Sequence, residues 1–93
     1  MNKNEFNLKF EKFKKDYEGE HLNCLELDNL VQEKFPTKDS IFDSNYNIKN
    51  LNFSYYIDLD DDDFAWLTIA YDIGAEGPDI FDKELLIKEI YLD

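Results

Sequence analysis

Apolar and polar residues follow two different periods along this chain, and the change of period marks a change of element. In the first part the period is helical. Phe6, Phe10, Phe13 and Tyr17 fall at i, i+4, i+7 and i+11, one face at 3.6 residues per turn. Lys9, Glu11, Lys12 and Lys15 lie off that stripe. Asn2 or Asn4 can cap the start of this helix and Gly19 can stop it. A second helix is expected from about Leu22 to Phe35, capped by Asn23 and ended by Pro36. Leu27, Leu30, Val31 and Phe35 share its apolar face. Gly19 and Glu20 then read as a tight turn, which makes the pair an antiparallel helical hairpin.

Residues 37–47 are polar and turn-like, interrupted by Ile41, Phe42 and Tyr46, which are expected to tuck against the core. After them the period drops to two. Leu51, Phe53, Tyr55, Ile57 and Leu59 alternate with Asn52, Ser54, Tyr56 and Asp58, the pattern of a half-buried strand. Asp60 to Asp63 form a turn. Ala65, Leu67, Ile69, Tyr71 and Ile73 then alternate with Phe64, Trp66, Thr68, Ala70 and Asp72, so the two runs read as a β-hairpin. Gly74, Gly77 and Pro78 break the chain into a loop.

The last segment, Ile80 to Leu92, fits neither period well. As a strand it sets Leu86, Ile90 and Leu92 on one side and Leu85, Ile87 and Tyr91 on the other. As a helix it aligns Phe81, Leu85, Lys88 and Leu92, a poorer stripe. A turn near Asp79 followed by a third strand is the reading adopted. The expected fold is α+β, a single domain over residues 1–93. Its order is α-α-β-β-β, an N-terminal helical hairpin packed on a three-stranded antiparallel sheet.

Charge narrows the function. The chain carries 22 Asp and Glu against 10 Lys and no Arg, a net charge of -12. Without a guanidinium fork, bidentate phosphate recognition is impossible. The negative field disfavours direct contact with nucleic acid or an anionic membrane and favours a basic protein surface. The field is also uneven. Residues 1–15 hold five Lys and two Glu, a balance of +3, so residues 16–93 carry -15. One cysteine, Cys24, forms no internal disulfide, and no apolar run reaches the length of a membrane span. The residues following Met1 lack the apolar core of a signal peptide, so a cytoplasmic location is expected.

The chemistry-bearing constellations are sparse. Counted from Asp58, an EF-hand loop would take Asp60 and Asp62 as ligands, but its glycine position is Asp63 and its glutamate position is Ile69. His21 and Cys24 have zinc-pair spacing, yet no other His or Cys exists to complete a site. His21 is expected at the surface and Cys24 in the core. No phosphate-binding glycine loop is present, and no nucleophile has an obvious base beside it. Neither catalysis nor a cofactor is expected.

What remains is a surface. If Leu51, Phe53, Tyr55, Ile57 and Leu59 face the helices, the opposite sheet face carries Tyr56, Asp58, Phe64, Trp66 and Asp72. Asp60, Asp61, Asp62 and Asp63 form its tip, and Glu76 lies in the following loop. Aromatics supply binding hot spots and carboxylates steer a basic partner. The alternative is that these rings are covered by the 37–47 segment or by a dimer mate. Asp58, Asp60 and Asp62, if strand-like, would also form a row of charges about 6.6–6.8 Å apart, resembling a nucleic-acid backbone. In size and charge alone, the chain is similar to bacterial immunity proteins that neutralise nuclease toxins. It is similar in the same two respects to phage proteins that disable restriction or CRISPR nucleases. The expected function is therefore inhibition of a basic, nucleic-acid-binding protein such as a nuclease or nuclease toxin. The alternatives are a phage anti-defence protein (anti-CRISPR or anti-restriction, a DNA mimic) and a non-inhibitory homodimeric interaction module.

Overall fold

The aromatic stripe of the first helix is buried against a sheet, and that contact organises the molecule. The computed structural model describes residues 1–41, 52–73 and 84–93. Helix α1 spans Lys3–Tyr17, with Asn2 accepting from the Glu5 N–H as its N-cap. Strand β1 (His21–Asn23) follows, and Asn23 then caps helix α2 (Cys24–Lys34) through the Glu26 N–H. Strands β2 (Asn52–Asp58), β3 (Phe64–Ile73) and β4 (Glu84–Leu92) complete a four-stranded antiparallel sheet in the order β1-β4-β3-β2.

The fold is thus α+β, as expected, but two details of the expectation are corrected. The sheet has four strands rather than three, and the helices do not form a simple hairpin, because β1 lies between them. Three residues are too few to display a period of two, so β1 leaves no trace in the hydrophobic pattern. Its stability comes from pairing with β4, extended by Gly19 N–H to Ile87 O (2.7 Å) and Ile87 N–H to Glu20 O (2.9 Å). Gly19 turns the chain into this strand at φ +86°, a conformation that favours glycine.

A third correction concerns β4. Tyr71 pairs with Ile87 but Ala70 pairs with Glu89, so Lys88 is an extra residue in a β-bulge. The bulge reverses the alternation, which puts Leu85, Ile87 and Ile90 together in the core. Ile90 therefore does not share an outward side with Leu86, and this is why the segment fitted neither period.

The core joins both layers. Phe6, Phe10 and Phe13 of α1, Cys24, Leu27 and Val31 of α2, and Phe53, Tyr55, Ile57, Leu67, Ile69 and Tyr71 of the sheet are all buried. Phe35, at the end of α2, packs edge-to-face on Phe6 and Phe13, with centroids 5.6 and 5.5 Å away. Each such ring contributes about 1.5–3 kcal/mol by burial. Ile41 is buried as expected, whereas Phe42, Tyr46 and Leu51, and the 74–78 loop, lie outside the described residues.

One polar residue sits inside this core. Asp28 is 5% exposed, yet its carboxylate accepts from four donors. The Tyr55 hydroxyl (2.9 Å) and Ile41 N–H (2.8 Å) reach Oδ1, and the Gln32 amide (2.8 Å) and Ser40 hydroxyl (3.1 Å) reach Oδ2. Burial first, and the Asp28 carboxylate next, push the Tyr55 hydroxyl far above its ordinary pKa, so it remains a donor. The network ties α2 to β2 and to the chain that follows α2.

Bonds from outside the sheet also cover backbone groups of β4, past the end of β1, and of the outer strand β2. Beyond the end of β1, the Ile90 N–H donates to Glu18 Oε2 (2.8 Å) and Ile90 O accepts from Lys14 Nζ (2.7 Å). On β2, the Tyr56 N–H donates to Asp39 Oδ2 (2.7 Å), Tyr56 O accepts from the Thr37 hydroxyl (2.6 Å), and Asp58 N–H donates to Pro36 O (2.9 Å). At these positions the bonds stand in for a neighbouring strand and oppose pairing with another chain.

The Glu18 contact predicts a pH response. Burial pushes the Glu18 carboxyl up, but its bonds from Lys14 and the Ile90 N–H outweigh this and hold it below its ordinary value. A lowered folded-state pKa contributes stability above the unfolded pKa of about 4.3, and that stability is lost as pH falls through the folded value. Unfolding midpoints measured from neutral pH into the acid range should fall less steeply for Glu18→Gln than for the parent. An identical acid slope would show that Glu18 is not held in this way.

Candidate protein-recognition face

With one side of the sheet committed to the helices, the other side presents the outward residues of β2, β3 and β4. Register decides which of them meet. Tyr56 lies directly opposite Trp66, and Asp58 directly opposite Phe64. The Tyr56 and Phe64 rings stack at 5.2 Å with an interplanar angle of 14°, and Trp66 meets Tyr56 edge-on at 5.2 Å and 78°. The three rings form one cluster, yet Phe64 remains 49% exposed and Trp66 40%. Aromatics this large are ordinarily drawn into a core or onto a partner.

Carboxylates surround the cluster unevenly. Asp58 stands beside Phe64, and the hairpin turn lies next to both. Asp60 accepts from the Met1 amino group through Oδ1 (3.0 Å), while its N–H donates to Met1 O (2.9 Å), so the turn is pinned to the start of α1. Asp63 bonds the Phe64 N–H. Asp61 and Asp62 are exposed at the apex. Asp72 also faces outward, opposite Leu86, but it lies six residues along β3 from Trp66, or about 20 Å. It belongs to the far end of the face and not to the cluster. Glu76 lies outside the described residues.

The even row of charges expected from Asp58, Asp60 and Asp62 is not formed. Strand β2 ends at Asp58, and Asp61 and Asp62 adopt φ of 60° and 58° in the turn, so the side chains cannot continue a strand-like row. Resemblance to a nucleic-acid backbone by regular strand spacing therefore has no geometric basis here.

Three outward residues were not anticipated, because the bulge hid the facing of β4. Tyr91 lies opposite Thr68, and Glu89 opposite Ala70. Asp93 accepts from the Thr68 hydroxyl (3.2 Å), which also meets Ser54 (3.0 Å), so Thr68 is buried although it points away from the helices. Glu89 and Asp93 add to the negative character of the face.

The turn itself breaks a local rule. Two consecutive left-handed residues are the sign pattern of a tight hairpin turn, for which Asn-Gly is the usual pair. Here both positions are Asp, flanked by two more. Left-handed φ costs an L-residue about 1 kcal/mol or more, and Asp tolerates it better than most. Asp61→Asn with Asp62→Gly should therefore stabilise the fold by about 1 kcal/mol, a rise in melting temperature of about 4–8 °C. Differential scanning calorimetry checks this, and an unchanged or lower midpoint would contradict the turn geometry.

Among the described residues, no group of three or more His, Cys, Asp or Glu is arranged to hold a metal ion. Cys24 is buried, and His21 is exposed on β1 rather than in a helical turn. No described helix is long and apolar enough to cross a membrane. Comparison with protein-family models, with curated proteins and with solved structures finds no match for the chain. Function is therefore read from this face.

Proposed function

We propose that this protein is a small acidic inhibitor that binds and blocks a basic, nucleic-acid-binding protein such as a nuclease, in the manner of a bacterial toxin-immunity protein. The observation that carries the reading is the exposed Tyr56–Phe64–Trp66 cluster set beside Asp58 and the acidic turn. Rings provide buried anchor area at an interface, and the carboxylates provide steering toward a positive surface. The protein acts by occlusion, with no cofactor and no catalytic step. Its setting is the cytoplasm, and it contacts neither nucleic acid nor membrane directly.

A homodimer through the same face is less well supported. A two-fold interface through this face would bring two negatively charged surfaces together. The bonds at Tyr56 and Asp58 also oppose dimerisation by pairing along β2.

The test is affinity capture from the source cell on immobilised protein, followed by titration of the captured nuclease with the inhibitor. Activity should fall to background at equimolar inhibitor, and binding should weaken about tenfold or more between low and physiological salt. A captured enzyme that stays fully active under saturating inhibitor would overturn the reading.

A further inference from the structure

The cluster has a chemistry more specific than negative charge. Phe64 stacks on Tyr56 with one face, yet almost half of its surface is open. Asp58 lies directly across the strand pair from it, where Cβ atoms stand about 4.5–5.5 Å apart. Among the described residues, no hydrogen bond or ion pair engages the Asp58 carboxylate. A planar ring with an unengaged carboxylate at its side matches the two needs of a guanidinium. The guanidinium plane stacks on an aromatic face, and its N–H fork pairs with a carboxylate. An ammonium satisfies the charge but has neither the plane nor the fork.

We infer that Phe64, Tyr56 and Asp58 form a receptor for an arginine side chain of the partner, with Trp66 closing one side of the cluster. The inference rests on the reading of a basic partner and deepens it. Arginine is the residue a phosphate-binding cleft uses for bidentate recognition, so occupying it would remove the cleft's contact with its own substrate. Pairing of a partner strand along β2 is opposed at Tyr56, whose backbone N–H and C=O are already taken by Asp39 and Thr37.

Trp66 is the only tryptophan in the chain, so its emission reports on this cluster alone. The probes are an alternating Gly-Arg peptide and a Gly-Lys peptide of equal length and charge, with a Gly-Ser peptide as the neutral control. The Gly-Arg peptide should give a saturable change in Trp66 emission and bind about threefold or more tighter than the Gly-Lys peptide. Asp58→Asn, which preserves shape, and Phe64→Leu should each abolish that preference while leaving the folded circular dichroism signal in place. Equal binding of both basic peptides would leave the basic partner standing and overturn the arginine receptor. Binding of neither above the neutral control would overturn both. An arginine preference that survives Asp58→Asn and Phe64→Leu would move the site elsewhere and overturn this assignment.

Discussion

Replacing Asp28 with Ala is expected to lower folding stability by about 3–4 kcal/mol. The argument follows from what the carboxylate leaves behind. Tyr55 is 1% exposed and Ile41 3%, so neither the Tyr55 hydroxyl nor the Ile41 N–H has ready access to water. Each buried donor without a partner costs about 1–3 kcal/mol. The Gln32 and Ser40 bonds are nearer the surface, and their loss adds little. For a domain of this size the change corresponds to a fall of about 15–25 °C in melting temperature. Two further variants separate the causes. Tyr55→Phe removes a single hydrogen bond and leaves one acceptor with other donors, so it should cost only about 1 kcal/mol. Asp28→Asn keeps the volume but turns one acceptor into a donor facing other donors, so its cost should fall between the two. Urea unfolding with a common slope checks all three. An Asp28→Ala cost no larger than that of Tyr55→Phe would mean that the network is not shared as the structure has it.

Asp28 is legible in the sequence as a carboxylate set within an apolar helical stripe. Cys24, Leu27, Val31 and Phe35 define the buried stripe of α2, and Asp28 falls within it at helical spacing. A lone carboxylate in an apolar stripe is expensive unless several donors meet it. Its position therefore called for donors, although nothing in the sequence said that Tyr55 would be among them. The hairpin was easier to read. Ten residues of β3 and seven of β2 are enough for a period of two to be unmistakable, and the pairing of Tyr56 with Trp66 follows once the turn is placed at Asp60–Asp63. The limits were equally physical. β1 is too short to show a period, the Lys88 bulge reversed one, and the φ values of Asp61 and Asp62 ended the row of carboxylates that simple strand spacing predicted.

The face that the hairpin builds separates two kinds of contribution to binding, and the largest functional effect should come from Trp66. Trp66→Ala should weaken binding to the captured partner by about 30-fold or more, the loss of at least 2 kcal/mol typical of a central aromatic anchor. Most of this should appear as faster dissociation, because a buried ring acts after the complex has formed. Neutralising Asp60, Asp61, Asp62 and Asp63 together to Asn should act on the other rate. Long-range attraction is felt before contact, so association should slow by about tenfold at low salt, with the difference shrinking as ionic strength rises. Both variants are measured by surface plasmon resonance over a salt series. Trp66 is partly exposed and Asp61 and Asp62 are at the apex, so neither change removes a core side chain, and calorimetry on the free variants shows what part of the effect is folding. If the quadruple variant instead accelerated dissociation and left association untouched, the turn would be a contact surface rather than a steering element. The uneven charge of the chain would then have to act through residues other than the four at its most acidic point. If Trp66→Ala changed neither rate, Trp66 would not be an anchor of the interface, although it meets Tyr56 edge-on and stays 40% exposed beside it.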